Sequence, residues 1–214
     1  MRIPAPHGHL EADLKPAEGD ARGAAIVCHP HPQHGGTMHT KAVFRTAQAL
    51  AEVGFDVLRF NFRGVGTSTG SYGGGQGEEE DLRAALDWQE GHTPDVPVLL
   101  GGFSFGARVA LTVGVSDSRA RALLGLGLPL AMYDFGFLNG AQKPVLLVQG
   151  EDDEYGDGVA LRSLVDRFSG TIDVQAISGA DHYFNNRFEE LKSVVKEYFT
   201  CGAGAAPFRQ PAST

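Results

Sequence analysis

The residue best placed to do chemistry is Ser104. It stands in Gly102-Phe103-Ser104-Phe105-Gly106, between an apolar, β-branched run and a run of small residues with helical spacing. A GxSxG pentad at a strand-to-helix corner is the pattern of a strained turn that exposes a nucleophilic hydroxyl. The pentad alone is a weak signal, and the strand before it and helix behind it give it weight against a plain loop serine. The helix N-terminus would also offer free N–H groups to a developing negative charge. A serine hydroxyl needs a base. Of the eight histidines, His182 in ISGADHYFNNR follows the last apolar run and precedes the final helix; the plainer reading is a surface-loop histidine. The base in turn needs an orienting acid. GEDDEYGD supplies Glu151, Asp152, Asp153, Glu154 and Asp157. The reach of the turn selects Asp153, with Asp152 as the fallback, against a solvated acidic turn or a metal site. Asp181 is a poor orienter, because adjacent residues seldom turn their side chains together.

A tetrahedral oxyanion needs two donors. The backbone N–H of Phe105, directly after the serine, is the first. The second should come from CHPHPQHGG, where Pro30 and Pro32 lack an N–H and leave His31 as the donor in a loop they stiffen. His29, His31, His34 and His39 also raise a metal reading. A Pro/Gly loop without cysteine or a helical i, i+4 pair does not suit one, so no metal is expected and His29 is read as a brace for the loop. RGVGTSTG (63–70) looks like a dinucleotide fingerprint, but its spacing is GxGxxxG and no helix follows. No cofactor is expected.

These positions require a scaffold. Residues 2–14 read as a hairpin turning near His7-Gly8. Apolar strands are expected over 23–30, 55–62, 96–103, 121–130, 144–150 and 173–179, and helices over 41–53, 78–92, 104–114, 158–168 and 187–199. Gly54 stops the first helix, and acids open the second, at the positive end of its dipole. Strands apolar throughout, separated by amphipathic helices, imply an α/β fold: a mostly parallel, twisted sheet of about seven to eight strands with helices on both faces. Function in such sheets gathers at the carboxyl ends of the strands. One domain over 1–200 is expected, followed by an Ala/Gly/Pro-rich tail (201–214).

Composition sets outer limits. The chain has 214 residues, 42% hydrophobic and 21% charged, which suits one globular domain. A formal net charge of −8 argues against nucleic acid and gives no field to gather polyanions. Cys28 and Cys201 are read as free thiols of a reducing compartment. The N-terminus shows no apolar signal region and no run is long enough to span a membrane, so a cytoplasmic protein is expected.

From Gly23 to Phe199 the chain resembles the α/β-hydrolase superfamily, and within it small bacterial serine hydrolases related to dienelactone hydrolases. CHPHPQHGGTM, VLRFNFRGVGTSTG, GGFSFGA, LLVQGEDDE and GADHYF carry the likeness. The order Ser104, Asp153, His182 is that of these hydrolases and not of the chymotrypsin or subtilisin types. The resemblance implies a Ser104-Asp153-His182 triad and an acyl-enzyme route, and it supports Asp153 as the acid. True dienelactone hydrolases use cysteine, so the serine favours ordinary small to medium esters, or thioesters by the same machinery. A catalytically silent fold used for binding is the rival from another class. The link over 131–142 is too short for a helical lid, so an open site is expected. Tyr133, Phe135, Phe137, Tyr183 and Phe184 are candidates for an apolar acyl slot, against simple packing. Exposed aromatics there would suit a homodimer.

Overall fold

The computed structural model describes residues 1–209. Eight strands form one sheet: β1 (Arg2–Ala5), β2 (Gly8–Lys15), β3 (Gly23–Cys28), β4 (Phe55–Phe60), β5 (Val98–Phe103), β6 (Ala120–Leu126), β7 (Ala141–Gly150) and β8 (Gly170–Ile177). Their spatial order is β1-β2-β4-β3-β5-β6-β7-β8. The first two strands form the expected hairpin, and β2 pairs antiparallel with β4. All other neighbours are parallel. β3 and β5 are buried along their whole length, as continuous apolar runs in a sheet covered on both faces must be.

Five helices cover the two faces: α1 (Lys41–Glu52), α2 (Gln76–His92), α3 (Phe105–Ser116), α4 (Gly158–Val165) and α5 (Phe188–Thr200). One core, packed with α1 and α5, centres on Val27, Leu50, Phe103 and Phe199. The other, with α2, α3 and α4, centres on Ile26, Leu82, Leu111 and Leu161. Three of the helices begin or end for an identifiable local reason. Gly54, at a φ of 89°, follows α1, a left-handed conformation that glycine adopts without a Cβ penalty. Glu78 reaches back to accept from the N–H groups of Gly75 (2.7 Å) and Gly73 (2.9 Å) at the start of α2. The Asp157 carboxylate caps α4 through the Ala160 N–H at 2.8 Å.

Several boundaries differ from the sequence reading; β6 ends at Leu126 rather than at 130, and β8 begins at Gly170 rather than at 173. β7 begins at Ala141, ahead of Pro144, and its register with β8 shifts between Ala141 and Val145, because proline has no N–H for the ladder. α4 stops at Val165, before Phe168. The segment read as a bare tail is also structured in part. A 3₁₀ turn over Ala203–Phe208 returns to the sheet and buries Phe208, whose ring meets Phe55 edge-on at 4.7 Å between centroids. Residues 210–214 of that segment lie outside the described residues. Between β6 and β7 the chain makes only a 3₁₀ turn at Gly136–Leu138, so no lid covers the carboxyl ends of the strands.

Candidate active site

The corner between β5 and α3 is closely packed. Ser104 holds a φ of 56° and a ψ of −121°, a conformation costly for a side chain with a Cβ and kept only where the surroundings enforce it. Its own N–H is tied to the Leu126 carbonyl at 2.8 Å. The flanking glycines let backbone meet backbone. A Cβ on Gly102 would lie 2.3 Å from the Gly106 carbonyl oxygen, and one on Gly106 would lie 2.3 Å from that of His29. Gly106 therefore serves the contact between α3 and the end of β3 rather than the space around the serine.

Ser104 Oγ lies 3.0 Å from His182 Nε2, and His182 Nδ1 lies 2.9 Å from Asp153 Oδ2. A carboxylate can only accept, so Nδ1 carries the proton and Nε2 is free to accept the serine O–H. His182 and Asp153 are both buried. The His182 ring is held by aromatic neighbours, Tyr155 at 4.6 Å and Phe103 at 5.1 Å between centroids. The loops bearing acid and base are fastened to each other. The Asp152 N–H donates to the Ala180 carbonyl and the Glu151 N–H to that of Ile177, both at 3.0 Å. Asp152, the fallback acid, is exposed. Asp181 turns away to accept from the Asn185 N–H (2.9 Å) and side-chain amide (2.8 Å).

The sequence reading missed the residue that holds Asp153. Gln149, fully buried at the end of β7, donates from Nε2 to Asp153 Oδ2 at 2.8 Å and to the Gly156 carbonyl at 2.6 Å. Its Oε1 accepts from the Leu128 N–H at 2.8 Å. The Tyr155 N–H donates to the other Asp153 oxygen at 2.9 Å. The only available signal was one polar residue at the carboxyl end of an otherwise apolar strand.

Opposite the serine lies the loop after β3. His29 donates from Nδ1 to the Pro30 carbonyl at 2.7 Å, and its Nε2 accepts the Phe62 N–H at 3.0 Å. With both ring nitrogens committed, it braces the loop and has no lone pair left for a metal. Burial pushes its pKa down to about 4, in keeping with a neutral ring. The His31 ring stacks on His34 at 4.3 Å and leans on Phe105 at 4.9 Å. Burial, and His34 beside it, hold His31 below the ordinary histidine range. Among the described residues neither the His31 N–H nor the Phe105 N–H has a hydrogen-bond partner within the protein.

The glycine-rich stretch after β4 is a clasp. The Asp81 carboxylate accepts from the Arg63 N–H (2.8 Å) and guanidinium (2.8 and 3.0 Å) and lies 2.8 Å from His7 Nε2. Ser68 Oγ donates to the Asn61 carbonyl at 2.7 Å and accepts from the Glu11 N–H at 2.9 Å. These bonds pin the N-terminal hairpin to the sheet.

A cleft of about 180 Å³ opens above Ser104. One wall is His31, His34, Gly35, Gly36 and Thr40; the other is Pro129, Met132 and Tyr133, with Phe105 beneath and Tyr155 and Tyr183 beside His182. Of the proposed slot residues, Tyr133 and Tyr183 line it. Phe135, Phe137 and Phe184 do not. Phe135 is buried in the core beneath the 3₁₀ turn, and Phe137 lies under the Arg108 guanidinium, 4.9 Å from its centroid. Phe184, at a φ of 56°, turns into the opposite core. Irregular backbone sets these directions, and residue spacing does not report it. Tyr155, Met132 and Thr40 were missed for the same reason.

The comparisons agree with this architecture. Residues 25–198 match the family model described as "Alpha/beta hydrolase domain". An uncharacterized protein of Rickettsia prowazekii is 35% identical over 202 residues, spanning 90% of this chain and 85% of that protein. The structure of an alpha-beta serine hydrolase homologue from Coxiella burnetii superposes with a TM-score of 0.89 at 37% identity, covering 94% of this chain and 96% of the other. A serine hydrolase without lid from Xanthomonas campestris gives 0.84 at 32% identity, covering 99% and 95%. With its strand order, its short β6–β7 link and these relatives, this chain belongs to the alpha/beta hydrolase family.

Proposed function

We propose that the protein is a serine hydrolase that cleaves small to medium carboxylic esters through an acyl-enzyme. The observation that carries this reading is the unbroken relay Ser104 Oγ–His182–Asp153, opening on a cleft lined by His31 and Phe105, whose backbone N–H groups have no partner among the described residues. His182 Nε2 takes the hydroxyl proton as Ser104 Oγ bonds to the ester carbon, and the carbonyl π electrons move onto oxygen. The N–H groups of Phe105 and His31 stabilise that oxyanion. Asp153 holds the Nδ1 proton in place and stabilises the imidazolium. The oxyanion then collapses, the C–O bond to the alcohol breaks, and the leaving alkoxide takes the proton from Nε2. Water repeats the sequence, with His182 as base, and releases the acid and free Ser104. Thioesters could follow the same path. A silent binding role does not account for a fully hydrogen-bonded relay beside a strained serine.

The test is intact mass after treatment with a neutral fluorophosphonate, with Ser104→Ala alongside. One adduct on the wild type and none on the variant is expected, together with turnover of 4-nitrophenyl butyrate by the wild type alone. Equal labelling of both proteins would remove Ser104 as the nucleophile.

A further inference from the structure

We infer that the cleft selects uncharged esters and rejects substrates with an anionic group near the reacting carbonyl, carboxylate-bearing esters and coenzyme A thioesters included. This rests on the acyl-transfer reading and narrows its substrate class.

Among the described residues, no Lys, Arg, Asp or Glu lines the cleft. Its surfaces are the rings of Phe105, Tyr133, Tyr155 and Tyr183, with the stacked pair His31–His34 and the Met132 side chain. The His31 Nδ1 accepts the Gln33 N–H at 3.2 Å, so this imidazole presents only a neutral N–H on Nε2. Carboxylates whose charge reaches the wall residues repel an anion. Glu78 acts on His31 and Tyr72, and Glu154 and Asp181 act on Tyr183. The cation that acts on Tyr133 is Arg108. Its guanidinium lies over the Phe137 ring and donates to Thr112 Oγ1, and Arg108 does not line the cleft. The proposed oxyanion site, the N–H groups of Phe105 and His31, is taken by the ester oxygen during reaction. A second negative charge would lose water without gaining a cationic partner, a cost that neutral donors and aromatic contact do not offset. The net charge of −8 adds repulsion at long range.

The test uses pairs that share the reacting group and differ in charge, the second pair differing in size as well. The first is 4-nitrophenyl butyrate against the 4-nitrophenyl monoester of succinate. The second is the acetyl thioester of N-acetylcysteamine against acetyl-coenzyme A. The neutral member of each pair is expected to show a kcat/KM about 10- to 100-fold higher, from the loss of one charged group's solvation. The ratio should narrow as salt rises. Binding is read separately by titrating Ser104→Ala with the two nitrophenyl esters, where the butyrate should bind at least tenfold tighter. That readout does not depend on turnover, so it decides the inference even if the acyl-transfer reading fails. Met132→Lys, a cation placed on the rim at a half-exposed residue, should raise the relative kcat/KM for succinate several-fold. Equal binding and equal kcat/KM within each pair would overturn the inference.

Discussion

Acidification should strike this protein through His29, and the size of the effect follows from its burial. The His29 ring is fully buried, bonded through both nitrogens and neutral down to about pH 4, against an ordinary value of 6.5. Burial lowers the value; the Pro30 carbonyl and the Asp81 charge act in the opposite direction and do not overcome it. Between those two values the unfolded chain binds a proton that the folded chain refuses. The stability contributed is therefore complete above about pH 6.5 and is lost as pH falls toward 4. The whole shift corresponds to about 3 kcal/mol, of which about 2 kcal/mol is gone by pH 5. The assay is urea unfolding at pH 7 and pH 5, followed by circular dichroism, for the wild type and His29→Gln. The variant has no titrating group at that position and starts from a lower stability. Its loss on going from pH 7 to pH 5 should be smaller than that of the wild type by about 2 kcal/mol. Equal losses in the two proteins would refute the reasoning, whatever their absolute stabilities.

Other substitutions test the supports of the site. Gly106→Ala should destabilise the fold by about 1–3 kcal/mol through overpacking, and should depress turnover, because the new methyl meets the His29 carbonyl that precedes the His31 loop; thermal melts and ester kinetics read the two effects. Gln149→Leu leaves the Leu128 N–H without its acceptor and removes a donor from Asp153, so a stability loss of about 1–3 kcal/mol is expected. Gln149 does not line the cleft, so kcat should fall about tenfold with KM little changed, and a rise in KM at constant kcat would contradict the positioning role. Phe208→Ala empties a packed position against Phe55 and Gly23 and should cost about 3 kcal/mol in denaturant unfolding, whereas a detached tail would tolerate it.

The positions of Ser104, Asp153 and His182 were readable because each follows the carboxyl end of a strand of the parallel sheet, and parallel topology gathers those ends. The spacing of prolines marked His31 for a related reason, since removing two donors leaves one. Side-chain direction was not readable in irregular segments. Phe135 and Phe184 share composition with Tyr133 and Tyr183, yet the 3₁₀ turn and the positive φ at residue 184 send them inward. Gln149 gains meaning only from its partners, which come from two other loops. Phe208 was hidden by its neighbours, because an Ala/Gly/Pro-rich setting reads as loose chain until a pocket for the ring is visible.

Two close backbone contacts position the groups of the proposed triad. Gly106 binds the serine corner to the end of β3, and with it the His31 loop. Gly150, where a Cβ would lie 2.3 Å from the Ala180 carbonyl oxygen, joins the acid loop to the base loop. Among the described residues, the side-chain hydrogen bond that joins the serine corner to these loops is Ser104 Oγ–His182 Nε2. In the proposed mechanism the proton crosses at that one bond, so residues far from the cleft that set how these loops meet bear on the rate of its transfer.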